Sequence, residues 1–114
     1  MGRVYDKGIN TPEIDLKLTV KLVEAQDVSL EQAIIQYSIH NGINYETSIR
    51  IANCESKMGK YKTNWEGSSA KGIFMFTDGT WNYINAKGSQ LDDIENIKQF
   101  TIWYKIHPEW WSCK

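Results

Sequence analysis

The chain has 114 residues, is 41% hydrophobic and carries a net charge of −1, which suffices for one domain around a single core and is too short for two. Its 13 basic residues are spread along the chain, which argues against a nucleic-acid-binding protein. No stretch approaches the ~18 apolar residues of a membrane span, and Met1 is not followed by the apolar run of a signal peptide.

The first predicted segment, residues 1–28, is extended or mixed. Apolar residues occupy every second position over residues 14–22, which is the alternation of an amphipathic strand. A Thr-Pro pair at residues 11–12 points instead to the start of a helix. The segment precedes a predicted domain that spans residues 29–114.

Two helices with clear start signals open that domain. Ser29 and the residues up to Gln32 have the form of a capping box ahead of apolar residues at helical spacing, and Gly42 ends this helix. Asn44 can cap the next helix, whose apolar side continues to Cys54.

Glu55 falls on the apolar side of this second helix, three residues after Ala52 and four after Ile51. A carboxyl group held against apolar neighbours loses solvation of its charged form, so its pKa rises and it can stay protonated near neutral pH. Glu55 is therefore a candidate general acid. The alternative is a carboxylate at a helix end that turns to solvent.

The second half of the chain is predicted to contain a loop and two further helices. Residues 57–72 are rich in glycine, serine and asparagine, with a short strand or two possible toward Phe76. A short helix begins near Thr80 and a longer one near Leu91. The pair at residues 107–108, His-Pro, stops the last helix.

The only two cysteines are Cys54 and Cys113. A bridge between them would stabilise the fold by roughly 4 kcal/mol in the chain-entropy model and would imply an oxidising compartment. Spacing alone also allows two buried free thiols. Zinc binding with His40 and His107 lacks the short paired spacings of structural sites, so no metal and no other cofactor is expected.

Two motifs resemble the lytic transglycosylase branch of the lysozyme-like superfamily. "CES" at residues 54–56 is followed by "GSSAKGIFMFTDGTW" at residues 67–81. In that family a Glu-Ser pair ends a helix, and an Ala-x-Gly-Leu-Met-Gln-x-x-x-x-Thr-Trp segment follows. The positions that match are Glu55, Ser56, Ala70, Gly72, Thr80 and Trp81, with Asn96-Ile97 similar to the family's opening of a later helix. The likeness covers roughly residues 29–113.

The resemblance implies a mainly α, small single-domain lysozyme-like fold, α+β at most, with helical lobes around a glycan-binding cleft and Glu55 at its floor. The implied reaction cuts peptidoglycan between N-acetylmuramic acid and N-acetylglucosamine. A single Glu protonates the leaving oxygen and then deprotonates the muramyl 6-hydroxyl, which gives a 1,6-anhydro end. The expected substrate-binding residues are Ser56, Ser69, Gly72, Met75, Trp103 and Tyr104.

The chain departs from the family pattern at two places. Met75 stands where the family has a glutamine, and a thioether cannot supply the hydrogen bonds of an amide. The family's later Ala-Tyr-Asn-Ala-Gly segment has no counterpart, and Trp103 or Tyr104 is expected to fill the place of its tyrosine.

The predicted function is that of a peptidoglycan lytic transglycosylase. The alternatives are a hydrolytic muramidase, a non-catalytic peptidoglycan-binding module and an unrelated helical interaction domain. A glycosidase with two carboxylates would need a partner for Glu55 among Glu66, Asp78 and Glu109. Four lysines around the loop could face an anionic polymer or simply solvent: Lys57, Lys60, Lys62 and Lys71.

The expected partner is the glycan strand of peptidoglycan, bound by a monomer in a periplasmic, secreted or phage virion-associated setting. A disulfide between Cys54 and Cys113 would suit that setting. It would also tie the Trp-rich tail, residues 109–114, to the helix that bears Glu55.

Overall fold

The computed structural model describes residues 16–25, 29–63 and 67–113. The helices are α1 (Leu16–Glu24), α2 (Leu30–His40), α3 (Tyr45–Ser56), α4 (Asp78–Tyr83), α5 (Asp93–Trp103) and a 3₁₀ helix (Pro108–Trp110). Strand pairing in these ranges is limited to isolated antiparallel bridges of Lys71 with Thr63 and with Phe76. The prediction of a mainly α fold is confirmed. No helix within the described ranges is long and apolar enough to cross a bilayer.

The helix starts follow from local hydrogen bonding by the predicted caps. The Ser29 hydroxyl accepts the backbone N–H of Gln32, and the Asn44 side chain accepts that of Thr47. Each bond satisfies a donor that a helix start would otherwise leave without a partner. Gly42, at φ +76°, turns the chain between the two helices.

The N-terminal segment differs from its prediction, because the chain is helical over α1. Leu16, Val20 and Val23 pack against the core at spacings of four and three, whereas Leu18 is 50% exposed. The alternation of apolar residues thus concealed a helical stripe, and of the two interpretations that the sequence left open for this segment the helix forms over α1. Residues 1–15 and 26–28 lie outside the described residues.

α2 lies at the centre and packs against α1, α3 and α5. The Phe74 and Phe100 rings stack with centroids 3.7 Å apart, and the Trp111 ring meets those of Phe76 and Phe100 edge-on. A residue of the tail is therefore part of the main core, and the tail is fixed against the same rings that anchor α5.

Candidate active site

Glu55 lies in the last turn of α3. Ile51 and Ala52 on the same side are fully buried, and Glu55 itself is half-buried. Loss of solvation raises the pKa of the Glu55 carboxyl, and a hydrogen bond from the backbone N–H of Cys113 acts in the opposite direction without cancelling the rise. The predicted inward placement of this carboxyl is what the structure shows.

The chain turns sharply just after Glu55. Lys57, Met58 and Gly59 have φ of +51°, +59° and +85°, which places three successive residues in the left-handed region. Non-glycine residues in that region carry strain and need support from their surroundings. The Ser56 hydroxyl supplies support by accepting the backbone N–H of Gly59 at 2.8 Å.

The two motifs singled out in the sequence are in direct contact. The second contains a tight turn, residues 71–76, closed by backbone hydrogen bonds of 2.9 and 3.1 Å between Lys71 and Phe76. The Ser56 hydroxyl donates to the carbonyl of Ile73 in this turn at 2.7 Å. This 71–76 turn is therefore fixed against the end of α3 that carries Glu55.

The 71–76 turn requires a glycine at position 72. Its φ is +90°, and a Cβ at this position would lie 2.1 Å from Nδ2 of Asn96 and 2.2 Å from the carbonyl oxygen of Gln90. The fully buried Asn96 accepts the Phe74 N–H at 2.9 Å and donates to the Gln90 carbonyl at 2.8 Å. Asn96 thus joins the 71–76 turn to α5.

Three of the expected substrate-binding residues have hydrogen-bond partners within the protein. Ser56 and Gly72 are buried and hold the 71–76 turn in place. The Ser69 hydroxyl accepts the backbone N–H of Asp78 at 3.0 Å, at the start of α4. These three residues therefore support the structure of the site, and their role in substrate binding stays a prediction.

Met75 is half-buried, has φ +53° and lines a small surface pocket. The pocket has a volume of about 40 Å³, and its walls are formed by Met75, Phe76, Thr77, Thr80, Trp110 and Trp111. Glu55 is not among the residues that line it. The tail connects Glu55 to the pocket. The backbone N–H of Cys113 donates to Glu55, and Trp111, two residues earlier, lines the pocket and donates its indole N–H to the Phe74 carbonyl at 2.8 Å.

Trp103 and Tyr104 lie at the end of α5. The indole N–H of Trp103 donates to Oε1 of Gln99 at 3.1 Å, and the Tyr104 ring packs 5.1 Å from that of Phe100. Contacts with the tail come from Trp110, 5.6 Å from the Trp103 ring, and from Trp111, 5.9 Å from the Tyr104 ring. A backbone amide, that of Cys113, donates a hydrogen bond to the Glu55 carboxylate, and the expectation that Trp103 or Tyr104 fills the place of the family's tyrosine stays a prediction.

The candidate second carboxylates have other partners. Asp78 is exposed and accepts from Nε2 of Gln90 at 3.0 Å, and this hydrogen bond is the main cause of its lowered pKa. Glu109 is exposed, with Oε2 2.8 Å from Nδ1 of His107. Glu66 lies outside the described residues.

Two lysines of the loop are paired with carboxylates. Nζ of Lys62 lies 2.8 Å from Asp93, and Nζ of Lys71 lies 3.2 Å from Asp78. Lys57 and Lys60 are exposed, with Nζ of Lys60 5.6 Å from the centre of the Tyr61 ring. The four lysines therefore do not form a uniform free positive patch.

Cys54 and Cys113 form a disulfide, with Cα atoms 5.9 Å apart. The predicted bridge is confirmed, and neither free thiols nor zinc ligation by these cysteines is compatible with it. Within residues 16–25, 29–63 and 67–113, no three His, Cys, Asp or Glu side chains are grouped to hold a metal. A disulfide is typical of proteins in oxidising compartments, which points to an extracellular setting.

The sequence prediction missed two contributors to the site. Asn96 was noted only for its resemblance to a family motif, although a polar residue beside the core position Ile97 was a sign of internal hydrogen bonding. The Cys113 amide left no such sign, because a backbone group has no side-chain signature.

Comparisons of the chain with protein-family models, curated proteins and solved structures found no match.

Proposed function

We propose that this protein cleaves the β-1,4 bond between N-acetylmuramic acid and N-acetylglucosamine in peptidoglycan, with Glu55 as the acid and then the base. The observation that carries the proposal is the half-buried carboxyl of Glu55 at a rigid corner against the 71–76 turn, with its pKa raised by burial. A raised pKa keeps the proton on the acid at the pH where it must be donated.

The proposed reaction needs only one carboxyl group. Glu55 protonates the glycosidic oxygen, and the bond from this oxygen to C1 of the muramyl residue breaks. The acetamido oxygen of the same sugar supports C1 while the bond breaks. The Glu55 carboxylate then takes the proton of the 6-hydroxyl, whose oxygen bonds to C1, so the acid is regenerated and a 1,6-anhydro end is formed.

The two described candidates for a second carboxylate, Asp78 and Glu109, have other partners, which favours a mechanism with a single acid. Asp78 is exposed, and its hydrogen bond from Gln90 lowers its pKa. Glu109 is exposed, and its carboxylate lies beside the His107 ring. A two-carboxylate glycosidase needs the second group within about 5–9.5 Å of the first, across the bond to be cut. An anhydro-forming reaction has no such requirement.

The disulfide and the substrate fit one compartment. Peptidoglycan lies outside the cytoplasmic membrane, where structural disulfides persist, and the bridge from Cys54 to Cys113 ties the tail to the helix end that carries Glu55. We propose that the protein acts in a periplasmic, secreted or phage virion-associated setting.

The proposal is tested by incubating purified sacculi with the wild-type protein, Glu55→Gln and the matched control Glu46→Gln. Glu46 is exposed in the first turn of the same helix. Mass spectrometry of the released muropeptides should find anhydro ends for wild type and control. Glu55→Gln should lower release at least about 100-fold without unfolding.

The outcomes separate the enzyme from its alternatives. Hydrated ends, heavier by one water, would identify a hydrolytic muramidase. Release that persists in Glu55→Gln would remove Glu55 from the mechanism.

A second candidate function is a non-catalytic peptidoglycan-binding module. It is favoured by the pocket beside Met75, which Glu55 does not line. In that case the wild-type protein would be retained on sacculi and release nothing, and Glu55→Gln would bind as well as the wild type.

A further inference from the structure

Three aromatic rings from three different elements form one cluster at the surface. Tyr83 ends α4, Trp103 ends α5 and Trp110 lies in the 3₁₀ helix. The Trp103 and Trp110 rings stack with centroids 5.6 Å apart and an interplanar angle of 25°, and the Tyr83 ring lies 6.3 and 6.2 Å from them, inclined at 56° and 80°. Tyr83 is 71% exposed. We call this cluster the aromatic shelf.

Two of the three rings of the shelf, those of Trp103 and Trp110, are held in place by neighbouring side chains. The Trp103 indole is fixed by its hydrogen bond to Gln99, whose Nε2 donates in turn to Glu95 at 2.8 Å. The ring of His107 stacks on that of Trp110 at 4.3 Å with an interplanar angle of 7°. Rings that are already oriented lose little conformational entropy when a ligand binds.

The tail also fixes the backbone of Trp110. Trp110 precedes Trp111, whose buried indole N–H is bonded to the Phe74 carbonyl, and the disulfide at Cys113 closes the segment. Burial of Trp111 in the main core therefore fixes the backbone that presents Trp110.

The shelf continues into the pocket beside Met75, because Trp110 belongs to both. Thr77 and Thr80 also line the pocket, and the Thr77 hydroxyl donates to that of Thr80 at 3.0 Å. With a volume of about 40 Å³, the pocket is far smaller than the about 300–1,000 Å³ of sites that enclose a whole ligand. It has room for a substituent such as an acetamido methyl group, with the rest of the ligand outside.

We infer that the shelf and the pocket together bind a run of N-acetylated amino sugars, with pyranose rings lying on the aromatic faces and one acetamido group in the pocket. The C–H faces of a pyranose suit flat aromatic rings, and threonine hydroxyls suit its polar edge. None of the three rings carries a charge, which matches an uncharged glycan backbone. The inference rests on the proposed function for the source of the glycan and adds where the strand lies.

The test uses tetra-N-acetylchitotetraose as the ligand and isothermal titration calorimetry as the measurement. Tyr83→Ala should weaken binding about three- to tenfold, the loss expected for one aromatic stacking partner. Tyr83→Trp should restore the affinity. Tyr45→Ala, a change of an exposed tyrosine at the start of α3, should bind as the wild type does.

The inference is overturned if the wild type does not bind the oligosaccharide, or if Tyr83→Ala and Tyr45→Ala bind with equal affinity. Calorimetry on the Glu55→Gln protein separates this result from the proposed function. Binding that depends on Tyr83, without release from sacculi, would support the shelf and contradict the enzyme. Release that depends on Glu55, with affinity independent of Tyr83, would do the reverse.

Discussion

At the scale of single residues, Glu55 is subject to two opposing effects. Burial beside Ile51 and Ala52 disfavours its charge, and the Cys113 amide favours it. Burial is the larger effect, so the folded protein holds the proton more tightly than the unfolded chain does. The same balance that suits a general acid reduces stability wherever the group must ionise.

The stability of the protein should therefore depend on pH through Glu55. Because folding raises its pKa, the folded state binds more protons, and the free energy of unfolding falls as the pH rises from the ordinary glutamate pKa of about 4.3 through the folded one. Glu55→Gln removes this loss, so the variant should be more stable than the wild type near neutral pH and equal to it at about pH 4. Urea denaturation at both pH values measures the difference.

Glu46→Gln serves as the control, since Glu46 is exposed on the same helix. Its stability relative to the wild type should not show the pattern expected of Glu55→Gln. Equal effects of the two substitutions, or a Glu55→Gln protein that is less stable at neutral pH, would contradict a buried acid at position 55.

Part of this site could be predicted from local sequence. The inward placement of Glu55 follows from helical spacing to Ile51 and Ala52, which needs no long-range information. The roles of Ser56 and Gly72 could not be predicted in this way, because both depend on the 71–76 turn approaching α3 and α5. Their resemblance to substrate-binding positions concealed a packing role.

At the scale of elements, the helices with side-chain caps were predictable. The side chains of Ser29 and Asn44 each accept a hydrogen bond from the backbone N–H three residues ahead. This interaction involves only residues that are close in sequence. α1 could not be predicted in the same way, because its apolar residues fit both the period of two of a strand and a helical stripe at Leu16, Val20 and Val23. Packing against α2 decides in favour of the helix.

The 71–76 turn owes its place to Asn96. Removal of this side chain leaves the Phe74 N–H and the Gln90 carbonyl without their partners. Asn96→Ala should lower the free energy of unfolding by about 2–6 kcal/mol, since each of the two unsatisfied groups costs about 1–3 kcal/mol. Chemical denaturation measures the loss.

Asn82→Ala, at an exposed position of α4, is the matched control and should change stability by less than about 0.5 kcal/mol. If Asn96→Ala is tolerated equally well, the turn is held mainly by Ser56 and Trp111, and Asn96 loses the role assigned to it.

At the scale of the whole molecule, the tail closes the fold. Its disulfide reaches back across a sequence separation of 59 residues to α3, and Trp111 sits among the core rings of Phe76 and Phe100. Sequence spacing left both a bridge and free thiols open, because whether two distant cysteines meet depends on every element between them. The same holds for the aromatic shelf, whose rings come from three elements.

Closure by the disulfide predicts a large response to reduction. Cutting the bridge releases the unfolded chain from a loop of this length, and the chain-entropy model gives a loss of about 4 kcal/mol in the free energy of unfolding. The total free energy of unfolding of a domain is about 5–15 kcal/mol, so this loss is a large fraction of it. The melting temperature of the wild-type protein should therefore drop clearly when a reductant is added.

A Cys54→Ser, Cys113→Ser double variant is the control, because it should match the reduced wild type and show no further response to reductant. Alkylation of the unfolded wild type without reductant should label no thiol, since the two cysteines are bonded to each other. Two labelled thiols in protein from an oxidising compartment would contradict the bridge.

Loss of the bridge should also raise the pKa of Glu55, because the Cys113 amide that lowers it is no longer held in place. The pH dependence of stability should then extend to higher pH in the double variant, and an unchanged dependence would show that Trp111 alone keeps the tail against Glu55.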